Sequence, residues 1–225
     1  MKKIVNFTDS ANVFVVLGQV GSGKTHLVLG HKGKKLVISF DSSYSVLEGH
    51  EDEITVVTPE LSDYETSEKL IDTIDDLSSG CSLVVFDNIS AAEATLIDAI
   101  TDGKLGSNTD VRAAYGVVQK LMAKFARWAI HFDGDVLFTL WSMVGEDGKE
   151  NPATNIKAFN SVAGYAKLVS RTEVGFDGYS VVMNPDGRGV IKNRLADKIK
   201  KQTIKNDDYW KAVEFAKGGN SNADA

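Results

Sequence analysis

NVFVVLGQVGSGKTHL, residues 12–27, joins an apolar run to a glycine-rich turn and then to residues of helical character. Within it, Gly18 to Thr25 match the spacing G-x-x-x-x-G-K-[S/T], between the strand and helix patterns that this motif requires. Glycines reach backbone conformations closed to other residues, so successive N–H groups can converge on phosphate oxygens, and a helix start adds the positive end of its dipole. Gly18, Gln19, Val20, Gly21, Ser22, Gly23, Lys24, Thr25 and His26 are therefore the expected phosphate-binding residues. Lys24 is expected to reach the β and γ phosphates of ATP, and the Thr25 hydroxyl to ligate Mg²⁺.

Working outward, apolar runs of strand length recur at Val13–Leu17, Leu36–Phe40, Ile54–Val57, Leu83–Phe86 and Val136–Trp141. Runs apolar on both faces suit strands covered by helices on either side. Between them, Val118, Leu121, Met122, Phe125, Ala129 and Phe132 follow the i, i+3, i+4 rhythm of a helix that Asp110 can cap, and Leu70, Ile71, Ile74 and Leu77 repeat it. This alternation predicts an α/β fold with a mostly parallel central sheet flanked by helices. Asp87, which ends the apolar run Leu83–Phe86, is expected to hold the magnesium through water.

After residue 142 the pattern changes. MVGEDGKENPATN reads as a polar loop, and three strand patterns follow, Lys167–Val174, Tyr179–Met183 and Gly189–Leu195, separated by Asp177-Gly178 and Asn184-Pro185-Asp186-Gly187. They predict a C-terminal antiparallel meander. A last helix, Asp207–Lys217, is expected to be capped by Asn206 and stopped by Gly218-Gly219, with Trp210 and Tyr209 as its anchors and residues 218–225 as a disordered tail. Residues 1–217 thus read as one ATP-binding domain.

Composition narrows the function further. The 225 residues are 43% hydrophobic, enough for a full core, yet no run approaches the roughly 18 apolar residues of a membrane span. The N-terminus lacks a secretory pattern, so the expected location is the cytoplasm. Cys81 is the single cysteine, and His26, His31, His50 and His131 lack metal-ligand spacing. A net charge of −6 argues against broad attraction to nucleic acid, but from Arg188 to Lys205 seven basic residues stand against Asp197 alone.

The family can be narrowed on the same residues. Asp87 is followed by Asn88-Ile89-Ser90 rather than the Asp-x-x-Gly of a GTPase, and neither a guanine motif nor the arginine-rich lid of a nucleoside monophosphate kinase is present. The phosphate loop, Asp87, the Tyr115-Gly116 helix and the closing Lys192-Asn193-Arg194 resemble the phage-encoded RecA-like P-loop nucleotide-binding proteins, some of which are single-strand annealing recombinases. The resemblance covers about residues 10–200. It implies a homo-oligomer with ATP at the interface, in which Lys192 and Arg194 touch the γ-phosphate of the neighbouring subunit. Period-2 spacing places both on one face of a strand.

Two departures bear on turnover. The glutamate base that the family carries two residues after the Asp ending its second strand is replaced by Ser43, which cannot take a proton from water at neutral pH. Slow hydrolysis, or the use of Asp41 or Glu48 as the base, is the expectation. The polar γ-phosphate sensor of the fifth strand has only Ser142 to represent it.

The resemblance also implies single-stranded DNA as a partner, contacted by the loops Asn88–Arg112 and Met143–Ser161. The second offers Lys149, Asn151, Asn155 and Lys157 as phosphate donors and Phe159 for base stacking, while Lys198, Lys200 and Lys201 form the stronger basic surface. Phage or host replication proteins are further expected partners. A helicase loader or accessory ATPase acting on a protein, or a slow nucleotide-gated oligomeric switch, remains the alternative.

Overall fold

The computed structural model describes residues 12–107 and 109–218. The expected tail, from Gly219 onward, lies outside them. In chain order the elements are β1 (Asn12–Gly18), a 3-10 helix (Thr25–Gly30), β2 (Lys35–Ser39), β3 (Ile54–Val57), α1 (Ser67–Leu77), β4 (Leu83–Asp87), α2 (Ile89–Thr101) and α3 (Val111–Ala129). Then follow β5 (Asp135–Val144), β6 (Glu150–Pro152), α4 (Ile156–Ala163), β7 (Leu168–Gly175), β8 (Gly178–Val182), β9 (Lys192–Asn193), β10 (Thr203–Lys205) and α5 (Tyr209–Lys217).

The sheet runs β3-β2-β4-β5-β1-β7-β8-β10. Every ladder from β3 to β7 is parallel, and β8 and β10 add antiparallel pairs at one edge. The α/β class, its parallel centre and its antiparallel C-terminal strands are as the sequence predicts. In β1, Val13, Val15 and Leu17 face the core under α1 to α4, while Phe14 and Val16 face the one under the 3-10 helix and α5. Period-2 alternation thus feeds two apolar layers, which is why the central strands carry so little polar residue.

Four local details differ from the sequence reading. The helix after the phosphate loop is a six-residue 3-10 helix, cut short where Gly30 and then Gly33, at φ +83°, interrupt it. β5 runs on to Val144 and turns back through β6, so the expected polar loop is a hairpin, and Asn155 then caps α4 by accepting from Lys157 N. The third strand of the meander shrinks to Lys192–Asn193 and pairs with β7, leaving β10 as the neighbour of β8. Gly218, at φ +103°, ends α5 as expected, but the Asn206 side chain turns away from the helix start and donates to Gly23 O at 2.9 Å.

Candidate nucleotide site

β1 delivers its loop at the C-terminal end of the parallel strands. Gly21 and Gly23 take φ of +75° and +86°, the left-handed region that a side chain would strain. Gly18 is required for space: a Cβ there would lie 2.0 Å from Thr172 Oγ1 and 2.4 Å from Ser22 Oγ. Ser22 Oγ donates to Gln19 O at 2.7 Å, and Thr172 Oγ1 donates to Leu17 O at 3.1 Å. The loop is therefore fixed from β7 as well as from within.

Lys24, 6% exposed, donates to Gly18 O at 2.9 Å and Gln19 O at 2.8 Å. Burial lowers its pKa below the usual lysine value, while Asp87, Asp41 and Glu150 pull it back up. Thr25 Oγ1 donates to Asp87 Oδ2 at 2.7 Å, and Thr139 Oγ1 donates to the other oxygen, Oδ1. Burial raises the Asp87 pKa, the two hydroxyl bonds and Lys24 oppose this, and Asp41 adds to it. A buried carboxylate held only by hydroxyls and facing an ammonium suits a hydrated divalent cation between Thr25 and Asp87. Mg²⁺ bound there would neutralise phosphate charge.

These groups line one cleft of about 320 Å³ with Val20 to His26, Asp41, Ser43, Val46, Asn88, Trp141 and Tyr179. The nucleotide residues expected from sequence thus come together, apart from Gly18 and Gln19, which shape the loop behind the cleft. Asp41 lines it, and its Oδ1 accepts from Ser43 N at 3.0 Å; Glu48 is not part of the lining. Ser142 donates to Glu150, so the fifth-strand hydroxyl that meets Asp87 is Thr139. Thr139 escaped sequence reasoning although it is the lone polar residue of VLFTLW. Arg171, 1% exposed, was also missed: it bonds Glu150 at 3.1 Å, Glu173 at 2.5 Å and Asp186 at 2.7 Å, tying β6 to β7 and to the segment before β9.

Lys192 and Arg194 do share a face, but outside the cleft. Lys192 Nζ donates to Ala163 O at 2.8 Å and Gly164 O at 3.1 Å, and Arg194 donates to Gly164 O at 3.3 Å, so both cap the C-terminus of α4. Arg194 N donates to Lys167 O, and Lys167 N donates to Val13 O. From the Arg194 register the phosphate loop starts five residues further along β1, about 17 Å at 3.4 Å per residue, whereas Lys192 pairs with Val169 and, through it, Val15, about 10 Å short of Gly18. Both side chains are bonded to the end of α4, and neither lines the cleft of its own chain.

The DNA expectations fare differently from one another. Phe159 is 2% exposed and belongs to the core, so it cannot stack on a base, and Asn155 is a helix cap. The segment Asn88–Arg112 is largely α2 rather than a loop. Lys149, in the β5–β6 turn, lies 3.6 Å from Asp147; Lys157 sits in the first turn of α4. Lys198 donates to Ala216 O at 2.7 Å, and Lys200 and Lys201 are exposed.

A family model described as an AAA domain matches residues 10–204. The chain belongs to that AAA domain family. Its mostly parallel α/β sheet and its loop are those of a P-loop nucleotide-binding domain. No curated protein matches the sequence. Among solved structures, a KaiC-like protein from the archaeon Pyrococcus horikoshii is similar at TM-score 0.48 and 11% identity, over 78% of this chain and 79% of that one. Among the described residues, no helix is long and apolar enough to cross a membrane.

Proposed function

We propose that this member of the family binds MgATP, assembles with nucleotide between its copies, and holds single-stranded DNA during phage recombination or replication in the cytoplasm. The observation that carries the nucleotide part is Asp87, buried at 2% exposure, its carboxylate bonded only to Thr25 and Thr139 among the described residues, with Lys24 close enough to act on its charge. Assembly is supported by Lys192 and Arg194: neither lines the cleft of its own chain, and neutral carbonyls hold them, so a neighbour's γ-phosphate is a stronger partner than the ones they have. DNA binding is supported by the exposed Lys200 and Lys201 within the basic run.

A slow nucleotide-gated switch is the second reading, favoured by Ser43: it lines the cleft where the family's base would stand and is exposed to solvent. Asp41 then remains the candidate base. Molecular mass measured with MgATP, MgADP and an oligonucleotide in turn tests both assembly and DNA binding. Oligomers formed with MgATP, and an added oligonucleotide mass, are the expected result. A monomer under every condition would end the assembly reading, and phosphate release unchanged by oligonucleotide would favour the switch.

A further inference from the structure

We infer that Tyr179 is the platform on which the base of the bound nucleoside triphosphate rests, a role that depends on the nucleotide reading above and goes beyond it. Direction along the cleft decides the assignment. The metal carboxylate Asp87 and the candidate base Asp41 follow β4 and β2, on one side of β1, whereas Tyr179 belongs to β8, on the other. A γ-phosphate beside Thr25 and Asp87 places the α-phosphate and the nucleoside toward the β7–β8 flank.

Tyr179 is the side chain that waits there. It directly follows the hairpin turn at Gly178, pairs across the hairpin with Val174, and packs on the loop so closely that a Cβ on Gly23 would lie 3.0 Å from its Cδ1. The rest of the ring is open, with the residue 48% exposed. An aromatic ring half in water beside a phosphate cradle offers the flat apolar face on which bases stack. Trp141, the other aromatic of the cleft, pairs with Gly18 on β5 and stands between the loop and the strand of Asp87, on the phosphate side. Because every base has a π-face, stacking alone makes the site tolerant of base identity.

The test compares the full-length wild type with Tyr179→Phe and Tyr179→Ala by calorimetry, using MgATP, MgGTP and Mg-tripolyphosphate as probes. Tyr179→Ala is expected to weaken both nucleotides about 5- to 100-fold, the range of one base–aromatic stack, and to leave tripolyphosphate unchanged. Tyr179→Phe should bind all three within about twofold of wild type, since the ring is kept. Equal losses for ATP and tripolyphosphate in Tyr179→Ala would mean that the ring merely props Gly23, and undiminished ATP binding would mean that the base lies elsewhere; either result overturns the assignment. A wild type that binds tripolyphosphate as tightly as ATP also overturns it while sparing the phosphate cradle. A wild type that binds none of the three removes the nucleotide reading and this one together.

Discussion

Asp87 and Asp135 are both buried and both sit at an end of a parallel strand, yet they are in opposite electrostatic states. At the N-terminal end of β5, Asp135 accepts two bonds from Lys217, at 2.8 and 3.0 Å, and one contact from His31 at 3.0 Å. Burial pushes its pKa up, but those partners outweigh it and hold the carboxyl below its ordinary value. Asp87, at the C-terminal end of β4, has two hydroxyls, and burial wins. The first carboxylate is neutralised by the fold itself; the second has no cation bonded to it, which is what the proposed magnesium site requires. Loop glycines, a buried lysine and a carboxylate bonded only by hydroxyls gather at one end of β4, and the Asp135 ion pairs close the opposite end of β5.

Removing Asp135 should produce the largest effect on stability. Asp135→Ala leaves the buried His31 ring without its carboxylate and Lys217 with Glu214 alone, and breaking one side of a buried pair costs about 3–5 kcal/mol. Urea unfolding should show that loss, while MgATP affinity of the folded protein stays as in wild type. A loss below about 1 kcal/mol would mean that this end is as unfinished as the other. His31, Asp135 and Glu214 also form the one group of possible metal ligands among the described residues, but Lys217, bonded to both carboxylates, already supplies the positive charge.

The next effect belongs to the opposite end and to binding. Lys24→Ala removes charge-assisted bonds to phosphate, each worth about 1.5–3 kcal/mol, so MgATP affinity should fall about 10- to 150-fold with the fold intact by circular dichroism. Asp87→Asn should separate stability from function. It removes a buried charge that nothing fully compensates, so the apo protein should melt no earlier than wild type, while the Mg²⁺-dependent part of ATP binding is lost. An Asp87→Asn protein that melts well below wild type would show that this carboxylate is as structural as Asp135.

The same contrast explains what the sequence could tell. The phosphate loop and the central strands were legible because each is a local pattern: fixed glycine spacing, or apolar runs bounded by turns. α3 was legible to its first residue, since Asp110 does accept from Arg112 N at 2.7 Å. β6 and β10, of three residues each, are too short to show alternation. Asn155 with Ala158, Phe159 and Val162 did carry a helix signal, which the polar residues before it concealed. Thr139 could not be found from spacing, because its meeting with Asp87 depends on the register of β4 against β5, and register is a tertiary property. Tyr179 and Asn206 are harder still: Asn206 meets the loop across 183 residues of chain. Lys192 and Arg194 were read correctly as sharing a face, but that α4 ends beneath them follows from packing alone.

The smallest effect is a proton, and it sharpens the comparison because the two carboxylates have opposite signs. Asp135 titrates in the folded protein below the ordinary 3.8, so its stabilisation is present above that value and is lost as pH falls through the lowered one. Asp87 titrates above 3.8, so between 3.8 and its raised value the folded state holds a proton that the unfolded chain has released, and its contribution to apo stability declines as pH rises through that window. A cation at Thr25 and Asp87 must displace that proton. Within the window, MgATP binding to wild type should therefore release more protons than binding to Asp87→Asn, read as a difference in the buffer dependence of the calorimetric enthalpy, and wild-type affinity should weaken by at most about tenfold per pH unit on acidification, the limit for one proton. The nucleotide's own titration is common to both proteins and cancels. Equal proton release from the two would place the metal somewhere other than beside Asp87.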